Sequence, residues 1–372
     1  MIYLDNAATT AMSEAALDNY QKVARNSFGN ASSIHSAGRE GNRILRQSRE
    51  TIARLLAVQP DQVYFTSGAS EANNIAIKGY ALAHQHLGKH IISTTLEHHS
   101  VLHTLSYLES RFGFQVTLLE PIEGQIHADQ VRDAIRPDTI LVSTMFANNE
   151  TGLLLPIQEI GQLLQNHQAV FHVDAVQAIG KIDLTPEKYH IDFLSASAHK
   201  FHGPKGTGFL YAKQLQFDPL IHGGKQERGH RAGTEDLPSI SAMATALQES
   251  LDHQVENFET VQRLKQFVLE SLPQHRFYLN ETGEHLPYVL NIGFPGKSND
   301  QLLVQLDLAG IAVSSGSACT AGVVQESHVL TSLYGKQSPR LKESIRISFS
   351  AHNTLNEVQQ LIDTLHQILG EN

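Results

Sequence analysis

Short, nearly continuous apolar runs alternate with stretches of helical period from about residue 60 to residue 215. The runs at 63–65, 90–93, 116–119, 140–143, 170–173, 191–194 and 208–211 have strand length and few internal polar positions. Between them, 70–87 and 98–111 carry helical periodicity, and 157–165 does so directly after Pro156, a helix-start signal. Strand–helix alternation with apolar strands predicts an α/β unit whose mostly parallel sheet is covered on both faces. Sites in such sheets collect at the carboxyl ends of the strands. After about residue 254 the pattern changes to helices at 257–271, 300–308 and 354–369, with strands near 288–292, 311–314 and 345–348. This predicts a smaller α+β domain. The expected division is a large domain over 13–253 and a small one formed by 1–12 and 254–372. No internal repeat, low-complexity segment or long linker interrupts the pattern.

Composition narrows the class. The 372 residues suffice for two domains, and 41% hydrophobic with 18% charged residues is an ordinary globular balance. A formal net charge of −10 without a basic run argues against nonspecific nucleic-acid binding. No apolar run has the length of a membrane span, and the first residues are unlike a signal peptide, so the cytoplasm is the expected compartment. Cys319 is the single cysteine, which excludes an intrachain disulfide. His84, His86 and His90 lie close together but without a recognisable ligand spacing, and no metal site is predicted.

The chemistry-bearing residues follow the predicted strands. Ser195 to Gly206 places Lys200 on a turn between two strands, after Ser197 and His199 and before Gly-Pro-Lys-Gly. Poor solvation there lowers a lysine pKa, which suits a Schiff-base lysine such as those that carry pyridoxal 5′-phosphate (PLP); a surface turn lysine is the plain alternative. Asp174 ends a strand and suits a pyridinium nitrogen, with Gln177 one turn on for a ring hydroxyl; Asp174 as a helix cap is the alternative. Thr66 to Glu71, including Ser70, opens a helix and offers either an anion site or a simple N-cap. His98 stands where a ring-stacking acid–base group fits, and equally where a helix merely starts. Asn149 lies in a turn past a strand, within reach of a substrate carboxylate or ring oxygen. Arg346 alternates with Ile345 and Ile347, so it faces either a pocket or solvent. Cys319 sits among small residues, a setting for a reactive thiol.

Together these motifs resemble the cysteine desulfurases, the NifS/IscS-like branch of the class V aminotransferases with PLP fold type I. The resemblance runs almost the whole chain, in order. It begins with 3–10 and 29–35, continues through 65–71, 97–98, 148–150, 172–177, 197–200, 203–206 and 229–234, and ends with 315–320 and 344–346. It implies that Lys200 carries PLP, that His98 stacks on the ring, and that Asp174 and Gln177 hold the pyridine nitrogen and ring hydroxyl. It further implies Ser70, Ser197 and His199 as phosphate ligands, and Thr234 as a residue reaching the phosphate of the other subunit in a homodimer. Asn149, a cofactor and substrate contact, and Arg346 would grip the substrate carboxylate, and Cys319 would hold the persulfide. The implied reaction converts L-cysteine to L-alanine and passes sulfur to an acceptor protein, an iron–sulfur scaffold or a tRNA-thiolation enzyme. A selenocysteine lyase or another class V aminotransferase is the alternative. Because Cys319 must meet both substrate and acceptor, the segment 317–333 is expected to be mobile. Ala31, Lys225, 321–325 and 350–352 depart from the usual pattern, and the changes beside Cys319 leave the choice of acceptor open.

Overall fold

The computed structural model describes residues 1–213, 216–316 and 326–370. Twelve strands occur among them: β1 (Ile2–Tyr3), β2 (Val63–Thr66), β3 (His90–Thr94), β4 (Gln115–Leu119), β5 (Thr139–Met145), β6 (Val170–Asp174), β7 (Phe193–Ser197), β8 (Gly208–Ala212), β9 (Tyr278–Leu279), β10 (Val289–Gly293), β11 (Ile311–Ala312) and β12 (Ser344–Ser348). Seven form one sheet in the order β2-β8-β7-β6-β5-β3-β4. All of its pairings are parallel except those of β8, which runs antiparallel to both β2 and β7.

Adjacent residues of these strands bury into opposite cores, the reason the runs lack polar alternation. Ile92, Val142, Phe171 and Leu194 join one apolar cluster, while Ile91, Leu141, Val170 and Phe193 join the cluster on the other face. A third cluster lies apart and draws on both ends of the chain. Leu4 packs there with Val261, Leu264, Leu290, Ile345, Ile347 and the helix Leu355–Leu369. The amino-terminal strand is tied in by parallel pairing of β1 with β11. A three-stranded antiparallel sheet, β12-β10-β9, completes this region.

Two expected elements differ in outline. The helix expected over 70–87 begins at Ala69 and contains a π-helical turn, Ile75–Gly79, before Tyr80–Ala83. The strand expected at 191–194 starts later, at Phe193, because the Ile191 amide closes a turn on the Pro186 carbonyl at 2.9 Å.

Candidate active site

The strand ends β2, β3, β5, β6 and β7 converge on a cavity of about 760 Å³, as the topology of an open α/β sheet requires. Ser70, His98, Asn149, Asp174, Gln177, Ser197, His199, Lys200 and Arg346 all line it. Thr234 does not: it is exposed, on the segment before the helix Leu237–Asp252. Cys319 lies outside the described residues. So does 317–325 of the segment expected to be mobile, whereas its remainder leads into a helix, His328–Tyr334.

Lys200 ends a short 3-10 turn, Ala198–Lys200, between β7 and β8. The turn is tight: a Cβ on Gly203 would come within 2.8 Å of the Ala198 side chain, and Gly206 takes φ +74°. Lys200 Nζ donates to the carbonyls of Ala7 at 2.5 Å and Ala8 at 2.8 Å. Loss of solvation, with the Arg346 charge adding to it, lowers its pKa to about 8 despite opposing Asp5 and Asp174. An amine in that range is a nucleophile and a base at ordinary pH.

Asp174, buried at the end of β6, accepts from Asn73 Nδ2 at 2.8 Å and from the Val176 amide at 3.1 Å. Asn73 Nδ2 also donates to Ser100 Oγ at 2.9 Å, which lies 2.8 Å from His98 Nδ1. The Ser100 amide donates to the same ring nitrogen at 3.1 Å. Nδ1 is therefore an acceptor, and a neutral His98 carries its proton on Nε2. Desolvation by the cavity walls favours that neutral ring, lowering the His98 pKa against the pull of Asp174, while Lys200, His99 and His328 lower it further.

The opposite end of the cavity is an anion cradle. Residues 69–71 open a helix that continues to Ala83, so their amides lack partners within it. Gly68 takes φ +147°, and a Cβ there would stand 3.4 Å from Ser197 Oγ. Ser70, Ser197, His199 and Lys205 surround this space. Burial holds His199 at a pKa of about 4, with Lys200 and Lys205 adding to the effect, so it is a neutral hydrogen-bonding group whose Nδ1 is 3.1 Å from Thr9 Oγ1. Arg231 pairs with Glu71 at 2.9 Å, fixing the segment that bears Thr234 beside the cradle.

On the remaining wall, Arg346 Nη1 donates to the Asn149 carbonyl at 2.8 Å and Nη2 to Asp5 Oδ1 at 2.7 Å. Its buried Nε has no partner among the described residues. A carboxylate, an amine, a neutral histidine and an anion cradle thus meet in one cavity with a guanidinium that retains an unused donor. This donor set fits PLP: an acid for the pyridine nitrogen, an amine for the aldehyde carbon and amides for the phosphate.

The class-V aminotransferase family model matches residues 2–361. The chain belongs to that family. It is 50% identical over 363 residues to a putative cysteine desulfurase, IscS 1, of Bacillus subtilis (strain 168), covering 96% of both chains. It is 39% identical over 373 residues to a cysteine desulfurase IscS of Methanosarcina thermophila, covering 99% of this chain and 92% of the relative. Among solved structures, a NifS-like protein superposes with a TM-score of 0.93 at 34% identity, covering 99% of each chain. The structure of SspA in complex with cysteine superposes with a TM-score of 0.84 at 35% identity, covering 95% of this chain and 100% of that one. The family is PLP-dependent, in keeping with the donor set. No helix among the described residues is long and apolar enough to cross a membrane.

Several residues of the site were not assigned from sequence. The carbonyls of Ala7 and Ala8 carry no side-chain signal. Asn73 and Ser100 lie two residues past the 65–71 and 97–98 motifs but read as ordinary helix polar residues, because nothing in the sequence shows that their side chains meet. Asp5 belongs to the matched opening segment, but its partner is 341 residues away.

Proposed function

We propose that the protein is a PLP-dependent cysteine desulfurase that converts L-cysteine to L-alanine and keeps the sulfur as a persulfide on Cys319. The meeting of Lys200, Asp174, the anion cradle and Arg346 in one cavity carries this reading. Asp174 and Gln177 hold the ring nitrogen and hydroxyl; Ser70, Ser197 and His199 hold the phosphate. His98 and Asn149 flank the ring, and Asn149 and Arg346 orient the substrate carboxylate. Thr234 reaches the phosphate of the second subunit in a homodimer. When bound, PLP supplies an electron sink that stabilises negative charge on the substrate's Cα.

Lys200 Nζ, a free base at mildly alkaline pH, takes the Cα proton. The Cys319 thiolate attacks the substrate sulfur: an S–S bond forms, the substrate C–S bond breaks, and its electron pair goes to the alanine fragment. Two protons complete alanine, one at Cβ and one at Cα. His98, which lines the cavity and carries its proton on Nε2, is one donor and Lys200 returns the other. The chain then carries a persulfide, which an acceptor protein for iron–sulfur assembly or tRNA thiolation removes in the cytoplasm. The cofactor-carrying unit spans 13–253, and 1–12 with 254–372 forms the second unit.

The test compares wild type with Cys319→Ser for visible absorbance and for alanine formed from L-cysteine with a reductant. Bound cofactor in both, with alanine formation lost in the variant, is the expected result. Undiminished alanine formation by Cys319→Ser would move the reaction to a lyase or aminotransferase. Light scattering is expected to give twice the chain mass of 41.0 kDa.

A further inference from the structure

Lys181 is a second buried lysine near the site, and no step above uses it. It is 8% exposed. Among the described residues no carboxylate pairs with it; Nζ donates to Gln177 Oε1 at 2.9 Å and stands 5.2 Å from the centre of the Tyr288 ring. The other end of the same amide, Gln177 Nε2, donates to the Ala7 carbonyl at 3.0 Å. Lysine ammonium only donates and a backbone carbonyl only accepts. The two partners therefore fix the amide in one orientation, which side-chain amides in general do not have. One N–H of Nε2 is spent on Ala7, and the second remains for the cavity that Gln177 lines.

We propose that Lys181 is a positioning residue that locks the Gln177 amide with its donor nitrogen toward the cavity, so that Gln177 presents an N–H to the anionic ring oxygen of the cofactor. The inference rests on the reading of Gln177 given above. An inverted amide would present Oε1 to that oxygen, setting two acceptors against each other. A buried lysine without an acidic partner is costly, and the bond to Gln177 Oε1 gives that cost a role that packing alone does not. The groups around it do not offer a rival partner. Burial, with the Lys200 and Arg346 cations adding to it, lowers its pKa to about 7, and it borders a small polar space shared with His202, His352, Asn257 and Tyr288. Even the neutral amine keeps N–H donors for Oε1.

The experiment uses the full-length protein as wild type, Lys181→Met, Gln177→Ala and the double variant. Cofactor dissociation constants and the pH titration of the bound cofactor's visible band are recorded, with melting curves of each apoprotein. Lys181→Ala, where water can enter the vacated space, is run in parallel. Lys181→Met is expected to loosen cofactor binding roughly tenfold and to move the midpoint of the visible titration. In the Gln177→Ala background the same substitution is expected to add little, because its route is gone. Independent, multiplying effects would overturn the proposal, as would a Lys181→Met titration superimposable on wild type. Loss of a native melting transition in both Lys181 variants would also overturn it, in favour of a purely structural role. If Gln177→Ala itself leaves binding and spectrum unchanged, the fault lies in the reading of Gln177 instead.

Discussion

Arg346 Nη2 and Asp5 Oδ1 lie 2.7 Å apart, so the guanidinium on the cavity wall is held in place before any substrate arrives. Asp5 and the Asn149 carbonyl each take one N–H from an Nη group, so each terminal nitrogen keeps a second N–H. A preoriented cation of this kind spends its binding energy on the incoming carboxylate rather than on ordering itself. Arg346→Ala is expected to raise KM for L-cysteine roughly 10- to 100-fold, from about 1.5–3 kcal/mol of lost charge-assisted bonding. The cofactor's absorbance should remain. Steady-state kinetics beside a visible spectrum decide it; an unchanged KM would remove Arg346 from substrate binding.

The lowered pKa of Lys200 makes cofactor capture sensitive to pH in a different range from that of a solvated lysine. The free amine, the form that attacks, becomes the major species once pH exceeds about 8. Uptake of PLP by apoprotein is therefore expected to accelerate through pH 7–9 and level off above it. Stopped-flow absorbance across that range provides the check. A midpoint near the ordinary lysine value would mean that the site does not desolvate Lys200.

Glu97, next to His98, supplies a stability prediction. Its Oε1 accepts from Thr94 Oγ1 at 2.7 Å and the Met145 amide at 3.0 Å, while buried Oε2 has no partner among the described residues. Burial lifts its pKa from 4.5 to about 8 against those two hydrogen bonds, with Asp174 adding to the rise. The folded protein thus holds this proton more tightly than the unfolded chain. The resulting stabilisation is complete below pH 4.5 and is lost as pH rises to about 8. Glu97→Gln removes that dependence. Its advantage over wild type should grow between pH 5 and 8 to on the order of a few kcal/mol, measured by urea denaturation at several pH values. Parallel profiles for the two proteins would mean Glu97 stays ionised.

Ser100 joins the Asp174 side of the cavity to His98 through Asn73. Ser100→Ala removes that link but leaves the Ser100 amide on Nδ1. We expect kcat to fall roughly 3- to 10-fold with little change in KM, the mark of a disturbed proton donor rather than of substrate binding. Equal losses in both constants would show that the effect is not confined to His98.

Much of this architecture was legible because strand ends in an open sheet are written in local sequence. Apolar runs followed at once by Ser67-Gly68, Glu97-His98, Asp174 and Lys200 told where the cavity would be. The second layer was not legible. Asn73, Ser100 and Lys181 matter through which atom they face, and position in a helix or turn alone does not encode that. The π-helical turn after Asn74 was hidden for a similar reason: it alters hydrogen bonding without changing the apolar period. Ala7 and Ala8, from the chain's opening segment, act through backbone carbonyls, which every residue type possesses.

The opening segment also sets when the site comes into being during synthesis. Ile2 and Tyr3 pair with Ile311 and Ala312, and Asp5 reaches Arg346. A chain still emerging from the ribosome can assemble the seven-stranded sheet and present Lys200, but it lacks the strand against which its own first residues settle. Ala7 would then keep its bond from Gln177 Nε2 but lose the one from its amide to Ser348 Oγ. A nascent chain stalled before β12 would have the residues assigned to the cofactor but would lack Arg346, and with it the grip for the amino acid's carboxylate.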